Sequence, residues 1–313
     1  MRAVADRLER AWAAGFFDGD GWAGTGGERG RRTRQPAAQI NQASASGLPE
    51  VLSRFRAAVG GAGRVGGPRT LERRIPLYWW VASSRADVES AFEAIGPWLC
   101  DVKRAQFAVA LGLPVVDPGE RPPHDSSEEV AWAAGLFDAE GCVSLGAHRT
   151  HDGYATIEAS ITQASTEPIS PVLRRFTQAV GGAGFINGPY TQAGARQPVL
   201  RWRIHRAIEV AAVVETMRSR LGLVKLAQAD RALTVVAAQP PLPRGNPSWG
   251  AYKTHCVHGH EYAVARVRPY RSRGVGLVRR ENAQCLVCAR DQARAKRSPM
   301  NKEAATFRPP LPE

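Results

Sequence analysis

Two short segments of this chain each place a pair of acidic residues at the end of an apolar stretch. AWAAGFFDGDG carries Asp18 and Asp20, and AWAAGLFDAEG carries Asp138 and Glu140. The apolar spacing predicts a helix in both cases. A carboxylate at the C-terminal end of a helix opposes the helix dipole, which costs roughly 0.3–1 kcal/mol when exposed and more when buried. Because this happens twice at equivalent places, we expect a divalent cation to compensate it.

Small residues precede both pairs of acids, over Ala13–Gly15 and Ala133–Gly135. They would let two such helices pack closely, which would bring Asp20 and Glu140 together. Two neighbouring carboxylates can hold metal ions against a scissile phosphate. The structural alternative is an amphipathic helix that frays into an Asp-Gly turn. A frayed helix end would explain the acids of one segment, but it explains less well why both segments keep them.

The two segments belong to an internal repeat. They are identical at eight of eleven positions, and VLSRFRAAVGGAG at Val51–Gly63 matches VLRRFTQAVGGAG at Val172–Gly184 at ten of thirteen. The offset stays between 120 and 122 residues. Single residues that match in the same order are Gln42 with Gln163 and Lys103 with Lys225. These matches predict a tandem duplication of a unit of about 110 residues.

Two Pro-rich breaks divide the chain, PVVDPGERPPHDSSEE at Pro114–Glu129 and QPPLPRGNPS at Gln239–Ser248. Such stretches are typical of linkers. We therefore predict repeat 1 at 1–113, a linker at 114–127, repeat 2 at 128–238, a second linker at 239–250, a basic module at 251–300 and a tail at 301–313.

Each repeat shows the pattern helix, two strands, helix, two strands and one or two closing helices. The first helices are predicted at Val4–Phe17 and Glu128–Phe137, and the closing ones at Asp87–Leu111 and Ala207–Val236. Aromatic and β-branched runs such as IPLYWWVAS and VLRWRIHR predict strands. The predicted fold is α+β, with tandem αββαββα repeats about a pseudo-two-fold axis.

The positive charge is concentrated after residue 243. The chain has 42 Lys+Arg and 29 Asp+Glu, a net charge of +13, and residues 244–313 hold 14 of the basic and 5 of the acidic side chains. A segment this basic favours binding to a polyanion. No apolar run approaches the roughly 20 residues that cross a bilayer. The chain has five cysteines, an odd number whose spacing does not suggest a disulfide framework, and this favours a reducing compartment. We expect a cytoplasmic, nucleoid-associated protein.

The two acidic segments resemble the motif of the LAGLIDADG homing endonuclease family in its single-chain, two-motif form. The nine-residue motif corresponds to AAGFFDGDG at Ala13–Gly21 and AAGLFDAEG at Ala133–Gly141, with Ala in place of the first Leu. The resemblance covers residues 8–237. It implies two four-stranded antiparallel, saddle-like sheets, and a monomer that hydrolyses one phosphodiester on each strand of duplex DNA.

The resemblance also implies roles for individual residues. The last acids of the motifs, Asp20 and Glu140, would hold catalytic Mg²⁺ (or Mn²⁺), whereas the first acids, at 18 and 138, would be structural. The residues implied to order or polarise water beside the metal are Gln42, Gln163, Lys103 and Lys225. The lysines have independent support, because only five of the 42 basic residues are Lys and a partly buried Lys can give up a proton. The alternatives are surface lysines and base-contacting glutamines.

Arginines along the predicted strands and hairpin tips would contact DNA, since an antiparallel ribbon fits the major groove and Arg binds guanine or phosphate. In the repeats these are Arg29, Arg31, Arg32, Arg34, Arg69, Arg73, Arg74, Arg196, Arg201 and Arg203. In the basic module they are Arg290, Arg294, Lys296 and Arg297, on a predicted helix after the last cysteine.

The basic module carries a pattern typical of a zinc site. Cys256, His260, Cys285 and Cys288 form C-x3-H-x24-C-x2-C. Four such ligands in two short-spaced pairs suit tetrahedral Zn²⁺, which would supply folding energy to a segment with little apolar surface. His255 and His258 are rivals to His260, and free thiols are the alternative. The arrangement resembles zinc modules found beside HNH nucleases. The other cysteines, at 100 and 142, are predicted to be small buried apolar residues.

Together these features predict a site-specific double-strand DNA endonuclease of the homing type, encoded within an intron or free-standing. One alternative is a non-cleaving nucleic-acid-binding protein on the same scaffold, such as an intron maturase that binds intron RNA, or a transcription regulator. Another is a zinc-dependent binding module attached to a degenerate nuclease body. Regulators derived from this fold often lose the motif acids, which this chain retains.

Overall fold

The computed structural model describes residues 2–26, 35–70, 74–114, 125–146, 155–165, 167, 169–191, 197–239, 267–270, 282–285, 287–288 and 290–291. The elements of repeat 1 are α1 (Arg2–Asp20), β1 (Gly21–Gly26), β2 (Gln35–Ala43), α2 (Glu50–Ala58), β3 (Arg64–Arg69), β4 (Leu77–Ala82), α3 (Arg85–Ile95) and α4 (Asp101–Leu111). Those of repeat 2 are α5 (Ser126–Glu140), β5 (Gly141–Leu145), β6 (Ile157–Ala164), α6 (Pro171–Ala179), β7 (Phe185–Tyr190), β8 (Val199–Ile204), α7 (Ala207–Met217) and α8 (Leu223–Ala237). A separate compact unit contains β9 (Val267–Tyr270) and β10 (Asn282–Cys285), which pair antiparallel.

Each repeat forms one four-stranded antiparallel sheet. The strand order is β1-β2-β4-β3 in the first and β5-β6-β8-β7 in the second. The register is equivalent in both, since Gln42 faces Tyr78 across β2 and β4 while Gln163 faces Leu200 across β6 and β8. The α+β fold and the two antiparallel sheets are thus as predicted from the sequence.

The closing segment of each repeat is two helices, where the sequence pattern leaves one or two open. In repeat 1 the predicted span Asp87–Leu111 divides between α3 and α4, and the break contains Gly96 and Pro97. Proline has no backbone N–H to donate within a helix, so α3 does not continue through Pro97. In repeat 2 the break falls between Met217 and Leu223, so that each repeat reads αββαββαα.

The two repeats meet along α1 and α5. Gly15 lies against the backbone of the opposite helix, and a Cβ atom built on it would lie 1.9 Å from the carbonyl oxygen of Trp132. A Cβ on Gly135 would lie 1.8 Å from the carbonyl oxygen of Trp12. Only glycine permits this approach. The predicted close packing of the two helices is confirmed.

Aromatic side chains fill the core between each sheet and its helices. The rings of Phe55 and Trp80 meet edge to face with centroids 4.8 Å apart, and Phe176 and Trp202 repeat the arrangement at the same distance. All four side chains are fully buried. Cys100 is buried as predicted, whereas Cys142 on β5 is only half-buried, so the prediction for it was wrong: its side chain alternates away from the buried face of the strand.

The outer faces of the two sheets differ in chemistry, although their backbones match. On β2 and β4 the residues turned away from the core include Gln39, Asn41, Trp79 and Val81. On β6 and β8 they include Glu158, Thr162, Arg201 and Arg203. Within the part of the chain that the structure describes, no helix is long and apolar enough to cross a membrane.

Candidate active site

Asp20 and Glu140 are the last residues of α1 and α5, so the packing of these helices brings the two carboxylates to one place. The proximity is close, because a Cβ on Gly19 would lie 3.1 Å from Cγ of Glu140. Burial raises the pKa of Asp20 to about 7, and the charge of Glu140 acts in the same direction. Burial also raises the pKa of Glu140. Two partly buried carboxylates that destabilise each other are the donor set that a divalent cation would stabilise.

A lysine from each repeat lies beside this pair. Lys103 on α4 donates a hydrogen bond from Nζ to the carbonyl oxygen of Gly21, and Lys225 on α8 donates one to the carbonyl oxygen of Gly141. These glycines directly follow the two acids. Burial lowers the pKa of Lys103, while neighbouring carboxylates raise it, among them that of Asp20. Both lysines are held against the ends of the motif helices and not free on a helix surface.

Each lysine helix is also tied to the first strand of its repeat by a glutamine one turn later. Gln106 accepts a hydrogen bond from the backbone N–H of Ala23 at 3.2 Å. Gln228 accepts one from the N–H of Val143 at 3.5 Å. Sequence reasoning assigned these glutamines no role. Their signal was the spacing Lys-x-x-Gln, which places both side chains on the same face of a helix in KRAQ and in KLAQ.

The two predicted strand glutamines differ in their contacts. Gln42, near the end of β2, donates a hydrogen bond from Nε2 to Oδ2 of Asp20. Gln163 takes the matching position on β6, yet among the described residues no hydrogen bond joins it to Glu140. The structure therefore brings Gln42 into contact with a site carboxylate and leaves Gln163 beside the site without that contact.

The first acids of the motifs bind backbone. Asp18 accepts hydrogen bonds from the N–H of Cys100 at 3.0 and 3.1 Å, and Asp138 accepts from the N–H of Gly222 at 2.8 and 3.0 Å. Cys100 and Gly222 immediately precede α4 and α8. A carboxylate at a helix N-terminus interacts favourably with the helix dipole. These contacts match the structural role expected for the first acids.

Of the arginines predicted to contact DNA, four in the repeats are described. Arg69 and Arg74 are exposed near the hairpin between β3 and β4. Arg201 lies 3.6 Å from Glu158, and Arg203 donates from Nε to Oδ1 of Asn187 at 3.3 Å. Six others in the repeats lie outside the described residues: Arg29, Arg31, Arg32, Arg34, Arg73 and Arg196.

Little of the predicted zinc site falls within the described residues. Cys285 ends β10, Cys288 is half-buried and Arg290 is exposed. The remaining predicted residues lie outside the described ranges: Cys256, His260, its rivals His255 and His258, and Arg294, Lys296 and Arg297. In the described part of the chain no group of three or more His, Cys, Asp or Glu side chains could hold a metal ion. The zinc site stays a prediction.

No family model and no curated protein sequence matches this chain. Solved structures do match. The LAGLIDADG homing endonuclease I-GzeII, in complex with its DNA target, is similar with a TM-score of 0.53 and 13% identity, over 73% of this chain and 89% of that one. The LAGLIDADG meganucleases I-AabMI and I-CpaMI, both bound to uncleaved DNA, are similar with TM-scores of 0.52. Their identities are 14% and 12%, over 73% of this chain and 90% of each of theirs. The chain has the LAGLIDADG homing endonuclease fold.

At 12–14% identity, the likeness establishes the LAGLIDADG fold alone. The residues of this chain that could carry an activity lie at the ends of α1 and α5, where the LAGLIDADG-like motifs place Asp20 and Glu140 beside Lys103 and Lys225.

Proposed function

We propose that this protein is a site-specific endonuclease that hydrolyses one phosphodiester on each strand of duplex DNA. One observation carries the proposal: two carboxylates lie at the ends of two packed helices, each followed by a glycine whose carbonyl binds a lysine from the same repeat. The pseudo-two-fold arrangement supplies one acid and one lysine for each DNA strand.

Asp20 and Glu140 would hold Mg²⁺ (or Mn²⁺). These two side chains suit a divalent cation, because burial and the charge of Glu140 raise the pKa of Asp20. A cation bound between the two carboxylates would offset their repulsion. A bound divalent ion supplies Lewis-acid stabilisation of the phosphate and a more acidic water. Gln42 holds the Asp20 carboxylate by its hydrogen bond and so fixes the direction of one ligand.

Lys103 and Lys225 would stabilise the negative charge that develops on the phosphate oxygens during hydrolysis. Their hydrogen bonds to Gly21 and Gly141 fix each ammonium group before DNA binds, so little reorganisation is needed in the transition state. Burial lowers the pKa of Lys103, which makes its proton easier to transfer to a leaving oxygen.

DNA would lie along the outer faces of the two sheets. Arg201 and Arg203 supply guanidinium groups on the second sheet, where bidentate contact with guanine or with phosphate is possible. The first sheet offers the amides of Gln39 and Asn41, which suit adenine. The basic module, with a zinc ion at Cys256, His260, Cys285 and Cys288, would add contacts to the phosphate backbone.

The test is Mg²⁺-dependent cleavage of a randomised duplex library by the wild type and by the double variant Asp20→Asn/Glu140→Gln. Discrete double-strand cuts by the wild type and none by the Asp20→Asn/Glu140→Gln variant support the proposal. A matched control is Glu93→Gln/Glu215→Gln, which makes the same change of charge at exposed, equivalent positions of the two repeats and should cut normally. Sequence-specific binding without cutting by any protein favours the non-cleaving binder, and competition with structured RNA then tests the maturase alternative.

A further inference from the structure

A tryptophan of each repeat donates a hydrogen bond to an aspartate of the other repeat. Trp12 on α1 donates its indole N–H to Oδ2 of Asp138 at 2.8 Å, and Trp132 on α5 donates to Oδ2 of Asp18 at the same distance. Both indole rings are fully buried. Each aspartate therefore receives a hydrogen bond from a side chain of the opposite repeat.

The aspartates that receive these bonds also hold the starts of the lysine helices. Asp18 binds the N–H of Cys100, three residues before Lys103, and Asp138 binds the N–H of Gly222, three residues before Lys225. One carboxylate thus connects the tryptophan of one repeat to the first turn of the lysine helix in the other. Movement of the carboxylate would displace that turn.

An arginine reinforces each connection from the same side. Arg175 on α6 lies over the ring of Trp132, 3.9 Å from its centroid, and donates to the carbonyl oxygen of Trp98 at 2.6 Å. Trp98 precedes α4 by three residues. A bidentate ion pair with Glu129, at 2.8 and 2.9 Å, holds this guanidinium in place.

The equivalent arginine of repeat 1 makes the mirrored set of contacts. Arg54 on α2 lies 3.8 Å from the centroid of Trp12 and donates to the carbonyl oxygen of Arg220 at 2.7 Å, just before α8. It pairs with Glu9 at 2.8 and 3.0 Å. In both halves, an arginine and a tryptophan from one repeat hold the start of the lysine helix in the other.

We propose that Trp12, Trp132, Arg54 and Arg175 are positioning residues, each of which places the active-site lysine of the opposite repeat. The inference rests on the proposed function, because it assigns each lysine to the hydrolysis of one DNA strand. Trp132 and Arg175 act on Lys103, and Trp12 and Arg54 act on Lys225. A small misplacement of such a group can slow a reaction by about 100-fold.

The variants that test this are Trp132→Phe and Trp12→Phe. Phenylalanine keeps a flat ring under the arginine, and removes the N–H donor together with part of the ring volume. Matched controls are Trp80→Phe and Trp202→Phe, because these buried indoles each donate to a backbone carbonyl, at 2.9 Å, away from the two aspartates. A general loss of packing would affect all four variants alike.

Amide hydrogen exchange measures the positioning directly and needs neither DNA nor cleavage. In Trp132→Phe we expect exchange to be accelerated at least about tenfold at residues 100–104, with little change at residues 222–226. Trp12→Phe should show the opposite pattern. Equal acceleration at both segments, or none at either, would overturn the inference.

Strand-resolved cleavage then tests the consequence for the reaction. At saturating protein, Trp132→Phe should slow the cutting of one strand by about 10- to 100-fold while the other strand is cut normally, and Trp12→Phe should slow the opposite strand. Equal slowing of both strands would contradict the crosswise assignment. A wild-type protein that cuts neither strand would overturn the proposed function instead, and hydrogen exchange alone would then decide the positioning roles.

Discussion

Lys103 donates a hydrogen bond to the carbonyl oxygen of Gly21, the residue that follows Asp20 at the end of α1. Lys225 makes the same bond to Gly141, which follows Glu140. At the end of each motif helix, the acid is therefore followed by a glycine whose carbonyl oxygen binds a lysine. A carboxylate and an ammonium group thus lie close together at each helix end. A phosphate placed between the two helix ends would meet both charges.

Replacing either lysine by methionine, which keeps an unbranched side chain of nearly the same length and removes its charge, should slow cleavage by about 100- to 1,000-fold. DNA affinity should change by less than about threefold, because the loss falls mainly on the transition state. Single-turnover cleavage and equilibrium binding measure the two quantities. Arg104→Met, at the next position of α4, is the control and should cut at the wild-type rate. Lys103→Arg should not restore activity, since the guanidinium retains its proton and needs more room.

Asp20 contributes a pH-dependent part of the protein's stability. Burial and the charge of Glu140 raise its pKa to about 7 in the folded protein, from an ordinary value of 3.8. The folded state therefore binds the proton more tightly than the unfolded state, and stability falls as the pH rises between these two values. Asp20→Asn should raise the free energy of unfolding by roughly 1–3 kcal/mol at pH 8, and change it little near pH 4.

Urea denaturation with a chelator present measures the free energy of unfolding of the wild type and of Asp20→Asn at pH 8 and at pH 4. Glu93→Gln, an exposed carboxylate on α3, should leave the free energy of unfolding unchanged at both. A gain of the same size at pH 8 and at pH 4 would show that the charge of Asp20 is not its cause. Addition of Mg²⁺ at pH 8 should raise the melting temperature of the wild type and not that of Asp20→Asn/Glu140→Gln.

The helix interface should not tolerate a methyl group on Gly15. A Cβ there would lie 1.9 Å from the Trp132 carbonyl oxygen, a backbone atom that can move only if the two helices separate. Gly15→Ala should therefore destabilise the protein by about 3 kcal/mol or more. Gly112→Ala is the control: its Cβ meets nothing within 4 Å, and only the cost of its φ of +68° remains, about 1 kcal/mol. Equal losses from the two substitutions would contradict the close packing.

The two sheets should differ in the bases they select. Arg203→Ala should weaken binding by about 1–3 kcal/mol and relax the preference for guanine in the half-site bound by repeat 2. Val81 takes the matching position in repeat 1, on β4, and Val81→Ala should leave base preference in both half-sites nearly unchanged. Selection from a randomised duplex library measures both effects. Uniform weakening across all sequences would assign Arg203 to phosphate instead.

The basic module should bind one zinc ion per chain. Cys288→Ser should abolish stoichiometric zinc in elemental analysis, whereas Cys142→Ser, which removes a half-buried thiol of β5, should retain it. A zinc chelator should weaken DNA binding at low salt and leave the thermal unfolding of the two repeats unchanged. Loss of all structure in one cooperative step on chelation would contradict an independent module.

The internal repeat explains why so much of this fold could be predicted. Because both copies keep the acids and the small residues before them, the meeting of Asp20 and Glu140 followed from sequence alone. The Trp132–Asp18 hydrogen bond did not follow, since it requires knowing which faces of two distant helices meet. The contrast between Gln42 and Gln163 was also hidden: the same residue at matched positions makes a carboxylate contact in one repeat only.

The motif segments through which the two repeats meet share eight of eleven residues. The outer faces of the sheets differ, because Trp79 and Val81 stand where the other repeat has Arg201 and Arg203. A homodimer with the same interface would present one face twice and would be restricted to palindromes. In a single chain, each half can acquire its own preference through substitutions that leave the shared axis untouched. Under the proposed function, the recognised DNA sequence could then change in one half at a time, and asymmetric target sites would be accessible that no symmetric dimer could select.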